Sequence, residues 1–138
     1  MKSIGELAKE YLNNVSNPKK AASLFAEDGV IEIPYLKSLG LPFRTEGKND
    51  VEIQIEKILS IAPQLEFINV RILMETHDQV LCEYEADTIL ANGRHMQQSY
   101  MTRFLFENGK IKLYREALDS IIAAKSIFPN GLADVPSI

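Results

Sequence analysis

The sequence has a single cysteine, Cys82, and only two histidines, His77 and His95. Each scarcity closes a class of chemistry. One thiol cannot build an intramolecular disulfide framework and fits a reducing compartment. It sits mid-strand among apolar neighbours, the setting of an inert core thiol. The histidines lie far apart, one in a turn and one at a strand end, whereas a catalytic zinc site wants them closely spaced. No metal ligation is expected. No apolar run approaches the roughly 18–20 residues of a membrane span. The opening stretch "MKSIGELAKEYL" lacks the unbroken apolar segment of a signal peptide. The expectation is therefore a cytoplasmic protein with no membrane partner. Clustered positive charge is missing as well. Fifteen Lys and Arg residues are scattered against nineteen acids, a net charge of −4 that disfavours nucleic acid. There is no G-x-S-x-G elbow, no P-loop and no G-x-G-x-x-G run, so no cofactor is expected.

What is present is an ordinary core. With 138 residues and 46% apolar content the chain reads as one globular domain, residues 1–138. "SIGE" at 3–6 is a capping-box pattern, followed by Ile4, Leu7, Ala8, Tyr11, Leu12 and Val15 at helical spacing. "SNP" at 16–18 starts a second short helix with Asn17 as cap and Pro18 at its first position. "EDG" at 27–29 reads as a turn, and "VIEIPY" at 30–35 as a first strand that Pro34 ends. Residues 36–48 form a loop rich in Gly and Pro that nevertheless carries Leu36, Leu39, Leu41 and Phe43. So much apolar surface predicts that it folds over something. A third helix, capped by Asn49, buries Val51, Ile55, Ile58 and Leu59 and is closed by Pro63.

The second half is strand-rich. Alternating segments at 66–76, 80–90, 95–106 and 111–119 are separated by "HDQ" and by two Asn-Gly turns, "ANGR" and "ENGK". A short helix capped by Asp119 follows, then a tail. Helix, helix, strand, helix and an antiparallel meander predict an α+β domain, with a curved antiparallel sheet carrying the helices on one face.

The order of elements, with "LFAEDGVIEIP" and "RFLFENGKIKLYREALDS", resembles the SnoaL-like branch of the nuclear transport factor 2-like superfamily over roughly residues 3–128. That superfamily includes ketosteroid isomerase, polyketide cyclases and phenazine-biosynthesis condensing proteins. The resemblance implies a cone-shaped fold, its three N-terminal-half helices packed on the concave face of the sheet. The scaffold hosts many chemistries, so function has to be argued from the site. Against ketosteroid isomerase, the proton-abstracting Asp of the first strand falls on Ile33 in "IEIP", and the oxyanion-side acid falls on Thr102. The first-helix Tyr is matched by Tyr11. Two of three positions are replaced, which argues against that mechanism. Against the phenazine proteins, the cavity Glu of the "RE" pair falls on Glu116, while the third-helix His falls on Gln54, which cannot shuttle protons.

Strand parity sorts the remaining candidates. Met96, Gln98, Tyr100, Thr102, Phe104 and Phe106 share one face, as do Val80, Cys82, Tyr84, Ala86 and Thr88. The opposite face carries Glu83, Glu85 and Asp87, an acidic ladder read as ordinary cross-strand pairing with Arg71 and Arg103. Glu116 and Tyr11 are the catalytic candidates. Tyr35, Gln54, Tyr84, Gln98, Tyr100, Thr102 and Phe104 are the substrate-binding candidates. For Glu116 two readings stay open, a pocket acid or base and a structural ion pair. Two functions stay open with them. One is a cofactor-free acid–base isomerase, cyclase or dehydratase acting on a small apolar or cyclic metabolite. The other is a non-catalytic binder of such a molecule. A homodimer is expected through the convex sheet face, where Met101, Leu105, Leu81 and Ile89 mix with Gln97, Ser99 and Arg103.

Overall fold

Ser3 does what its position predicts: its hydroxyl accepts the Glu6 N–H at 3.1 Å and starts helix α1, Ile4–Asn13. A second acceptor comes from across the fold, where the Glu75 carboxylate takes the Gly5 N–H at 2.7 Å. An acid there suits the positive end of the helix dipole. Asn17 caps α2, Pro18–Ser23, by accepting from Lys20 N–H at 3.2 Å. The computed structural model describes all 138 residues.

Strand β1 runs Phe25–Glu32, so the expected turn at 27–29 lies inside a strand. The pairing of β1 slips between Phe25 and Val30, and Gly29 sits in that irregularity. A Cβ on Gly29 would stand 2.8 Å from the Ile111 carbonyl and from the Phe25 ring, so only glycine admits this close approach. Pro34 ends the strand and opens a 3-10 helix, Pro34–Leu39, which is followed by the short strand β2, Arg44–Glu46. The apolar loop is thus partly ordered structure. Helix α3 spans Lys48–Ile61 and is capped at Gly47, without a side-chain hydrogen bond. Asn49 is not its cap. The Gly47 N–H donates to Gly29 O at 2.8 Å, and Gly47 O accepts Val51 N–H at 2.9 Å. That tertiary bond fixes the helix start two residues before the side-chain signal.

The meander follows as β3 (Ile68–Glu75), β4 (Gln79–Ile89), β5 (His95–Glu107) and β6 (Lys110–Leu118). Asp119 accepts from the Ile121 and Ile122 N–H groups and caps α4, Ser120–Ile127. The strands form one six-stranded sheet in the order β2-β1-β6-β5-β4-β3. Four of its five pairings are antiparallel, and β1 with β6 is parallel. The long excursion between β1 and β6 imposes no hairpin, which leaves their relative direction free.

Parity assigns the faces of β4 and β5 as the sequence predicts. Met96 through Phe106 at even positions are buried, while His95, Gln97, Ser99, Met101 and Arg103 are exposed. In β3 the alternation fails. Asn69 has φ 57°, and the register slips twice, leaving Ile68, Leu73 and Met74 in solvent. The helices lie on the concave side, where Leu12 of α1 and Val51 and Ile55 of α3 join Phe25, Tyr84, Phe104 and Ile111 in one core. No helix is long and apolar enough to cross a membrane.

Candidate functional site

The sheet curves away from the helices on one side and leaves a cavity of about 800 Å³. Its wall is mostly apolar: Val15 just after α1, Ile31 and Ile33 around the end of β1, Ile58 and Ile61 of α3, and Met96 of β5 contribute. Leu36, Leu41, Pro42, Arg44, Thr45 and Glu46 complete one side, so the segment expected to cover something does border the cavity. It is pinned from behind, because Leu39 is buried against Ala123 and Ala124 of α4. Arg44, Glu46, Asp50 and Lys57 are the charged residues of the wall besides Glu116.

Glu116 lines this cavity and is 6% exposed. Its neighbour Arg115 points the other way and donates to Glu32 at 2.8 Å on the outer surface. The Arg–Glu pair is therefore divided by the sheet, and no cation reaches the inner carboxylate. The structural ion pair falls away. Burial raises the Glu116 pKa to about 7, offset in part by the Tyr114 hydroxyl, which donates to Oε2 at 2.6 Å. Desolvation wins because one neutral donor cannot replace the hydration of a full charge.

Tyr114 is itself bonded to Tyr84 at 2.7 Å, and Tyr84 to Thr102 at 2.6 Å. Strand parity puts Tyr114 on the face of Glu116, yet it is not among the sequence candidates. The available signal was its spacing of two on the same strand. Tyr11 and Tyr100 also line the cavity, and neither hydroxyl has a protein hydrogen-bond partner or is sealed from the open space. Burial, with the Glu116 charge adding to it, lifts both phenols far above their ordinary value. They stay neutral at any physiological pH and present O–H donors. Glu116, Tyr11 and Tyr100 thus offer the cavity an unoccupied oxygen or proton from its buried sheet and helix wall.

Four of the proposed binding residues lie elsewhere. Tyr35 is 54% exposed, because the 3-10 helix after Pro34 turns Leu36 toward the cavity and Tyr35 to solvent. Tyr84, Thr102 and Phe104 are fully buried behind the wall. Phe104 packs between Tyr11 and Tyr114, with ring centroids 6.0 and 5.1 Å away. Gln54 and Gln98 do line the cavity. The Gln98 amide, however, is committed to the main chain. It donates to Asp119 O and accepts from the Asp119 and Ser99 N–H groups, each at 2.9 Å, and so clamps the β6–α4 junction.

On the outer face the acidic ladder is paired. Arg71 holds Glu85 at 2.9 Å and Glu83 at 3.7 Å, and Asp87 is bonded to His95 and Gln97. Arg103 donates to Gln79 rather than to an acid. Cys82 is buried among apolar groups, its thiol pushed up to about 12 by burial.

The SnoaL-like domain family matches residues 10–114. No curated protein sequence matches the chain. Among solved structures, a Bacillus subtilis protein provisionally described as an isomerase is 23% identical, with a TM-score of 0.80 over 91% of this chain and 92% of that one. A phenazine biosynthesis-related protein of Pseudomonas aeruginosa is 20% identical, with a TM-score of 0.77 over 97% and 88%. A Pseudomonas putida protein provisionally described as a polyketide cyclase is 14% identical, with a TM-score of 0.79 over 93% and 100%. At these identities the likeness is one of fold.

Proposed function

This chain belongs to the SnoaL-like domain family, and we propose that its cavity takes up a small, largely apolar cyclic metabolite on which Glu116 performs cofactor-free acid–base chemistry. Isomerisation, cyclisation and dehydration are the reaction types this would serve. One observation carries the reading: a buried carboxyl with no cation faces an apolar cavity beside two tyrosine hydroxyls that have no protein partner. A carboxyl titrating near 7 both accepts and returns a proton at neutral pH, which is the property a general acid–base needs. Tyr11 and Tyr100, held neutral, are donors suited to an oxygen that gains negative charge as the proton leaves. Fold neighbours described as an isomerase and a cyclase are consistent with that choice.

A second reading, a non-catalytic binder of the same kind of molecule, is favoured by one feature. The groups of the wall that feel the Glu116 charge, Tyr11, Tyr100 and Tyr114, are phenols held neutral, and none is a second acid or base to share the proton. Proton exchange separates the two. A panel of cyclic ketones is incubated in D2O with the protein, and loss of the α-proton signals is followed by NMR. The enzyme reading expects exchange above the buffer rate, lost in Glu116→Gln while ligand affinity stays within a few-fold. Saturable binding with exchange at the buffer rate in the wild type would make the protein a binder.

A further inference from the structure

We propose that Tyr114, Tyr84 and Thr102 are positioning residues that fix which oxygen of Glu116 carries the proton: they occupy Oε2 with a one-way hydrogen-bond chain and leave Oε1 to the cavity. This deepens the acid–base reading of Glu116 and rests on it for its functional meaning.

The direction follows from counting protons. Each hydroxyl has one proton to donate, and an ionised carboxylate only accepts. Tyr114 spends its proton on Glu116 Oε2. In the contact between Tyr84 and Tyr114 the donor must then be Tyr84. By the same step Thr102 donates to Tyr84. Every proton is placed and every bond is 2.6 or 2.7 Å long.

Reversal is blocked at the far end. Were the Glu116 proton to sit on Oε2 and point at Tyr114, each hydroxyl would turn, and Thr102 would need a new acceptor. The Thr102 hydroxyl has no hydrogen-bond partner but Tyr84, and Thr102 is wholly buried. An orphaned buried O–H is costly, so the chain keeps its direction in both protonation states. The proton therefore enters and leaves at Oε1, which has no protein partner and belongs to the cavity wall. The chain ends in the core, so it is no conduit to solvent. It spans three strands, from β6 past β5 to β4 and back to β5, which ties the carboxyl to the buried middle of the sheet.

The titratable groups that feel Glu116 are Tyr11 from α1, Cys82 and Tyr84 from β4, Tyr100 from β5 and Tyr114 from β6. None is a cation. The Tyr114 donor is thus the one side-chain bond that favours the charged form of Glu116.

The test is a carboxyl NMR titration of Glu116 on protein with ¹³C-labelled glutamate, the resonance assigned with Glu116→Gln. Tyr114→Phe should raise the Glu116 pKa by about 1–2 units, the effect of losing one charge-assisted bond. Tyr84→Phe and Thr102→Val should move it the same way by less, and Thr102→Ser, which keeps the hydroxyl, should restore the wild-type value. An unmoved titration in Tyr114→Phe, or a fall, overturns the chain. A second readout leaves Tyr114, Tyr84 and Thr102 unaltered. In the infrared difference spectrum between wild type and Glu116→Gln at pH 5, the protonated carboxyl should show a C=O stretch lowered by a strong hydrogen bond. That is the mark of Oε2 as carbonyl. An unbonded, high-frequency C=O would place the proton on Oε2 and refute the proposal. Neither readout involves turnover, so failure of the chain and failure of the acid–base reading are separate results.

Discussion

Glu85 and Glu116 are the same side chain on two strands of one sheet, and they sit in different solvents. Glu85 faces outward on β4, where Arg71 grips it at 2.9 Å and holds its pKa below the ordinary carboxylate range. Glu116 faces inward on β6, meets one phenol and no cation, and titrates near 7. The contrast shows that a short hydrogen bond does not by itself keep a carboxylate ionised. What decides is whether water or a full opposite charge compensates for it. The two faces of this sheet therefore do different work with similar residues. The outer face pairs its charges at the surface, and the inner face holds a carboxyl without a counter-charge.

The largest expected effect comes from breaking the packing that makes the inner face dry. Phe104→Ala removes a fully buried ring between Tyr11 and Tyr114 and should cost about 3–5 kcal/mol by urea unfolding. Met101→Ala, one strand position class away but 42% exposed, should lie within about 0.5 kcal/mol for the monomer. Equal costs at the two positions would show that the faces are not distinct.

Next comes the buried charge itself. Between the ordinary value of 4.5 and about 7, the folded protein holds a proton that the unfolded chain has released. Stability from this group is full below 4.5 and falls as pH rises through 7, by about 3 kcal/mol in total at 1.36 kcal/mol per unit. Glu116→Gln removes that slope. Unfolding midpoints at pH 5 and pH 8 should converge in the variant, which becomes the more stable protein at pH 8. A variant destabilised at pH 8 would mean that the carboxylate is compensated by something other than Tyr114.

The outer face sharpens the comparison at a different level. A homodimer through it predicts twice the chain mass by light scattering at micromolar concentration, with Met101→Glu shifting the protein to monomer. A wild-type monomer at that concentration removes the dimer. The smallest effect is expected at Arg71. Its bonds to Glu85 and Glu83 are exposed, so Arg71→Ala should lower stability only slightly at low salt. The difference should vanish in about 1 M salt, where charges are screened within a few ångströms. A large loss that persists in high salt would make the outer ladder more than a solvated surface.

Much of this is legible in the sequence. Ser3, Asn17 and Asp119 mark helix starts because capping is a bond between a side chain and a backbone group three residues away or fewer. Asn49 failed as a signal because Gly47 is held by Gly29, a partner 18 positions earlier in the chain that no local pattern announces. β3 failed in the same way, since its alternation was broken by a left-handed Asn69 and two register slips.

The inward direction of Glu116 was determined by the sequence alone. Its strand has a period of two, Tyr114 and Leu118 share its side, and Arg115 takes the other. The family likeness was equally a property of the sequence, and the match over residues 10–114 upholds it. What only the tertiary structure decided is depth. Parity assigns a side chain to a face, and says nothing of whether that face is open cavity or packed interior at that point. Tyr100 meets the cavity while Thr102, two residues on and on the same face, is wholly buried, because the curvature of the sheet and the position of the helices change between them. The bond from Tyr114 to Tyr84 crosses an entire strand and joins residues 30 positions apart. Local chemistry sets which way a residue points. Long-range packing sets what it finds there, because only the assembled sheet brings those groups together and removes the water between them.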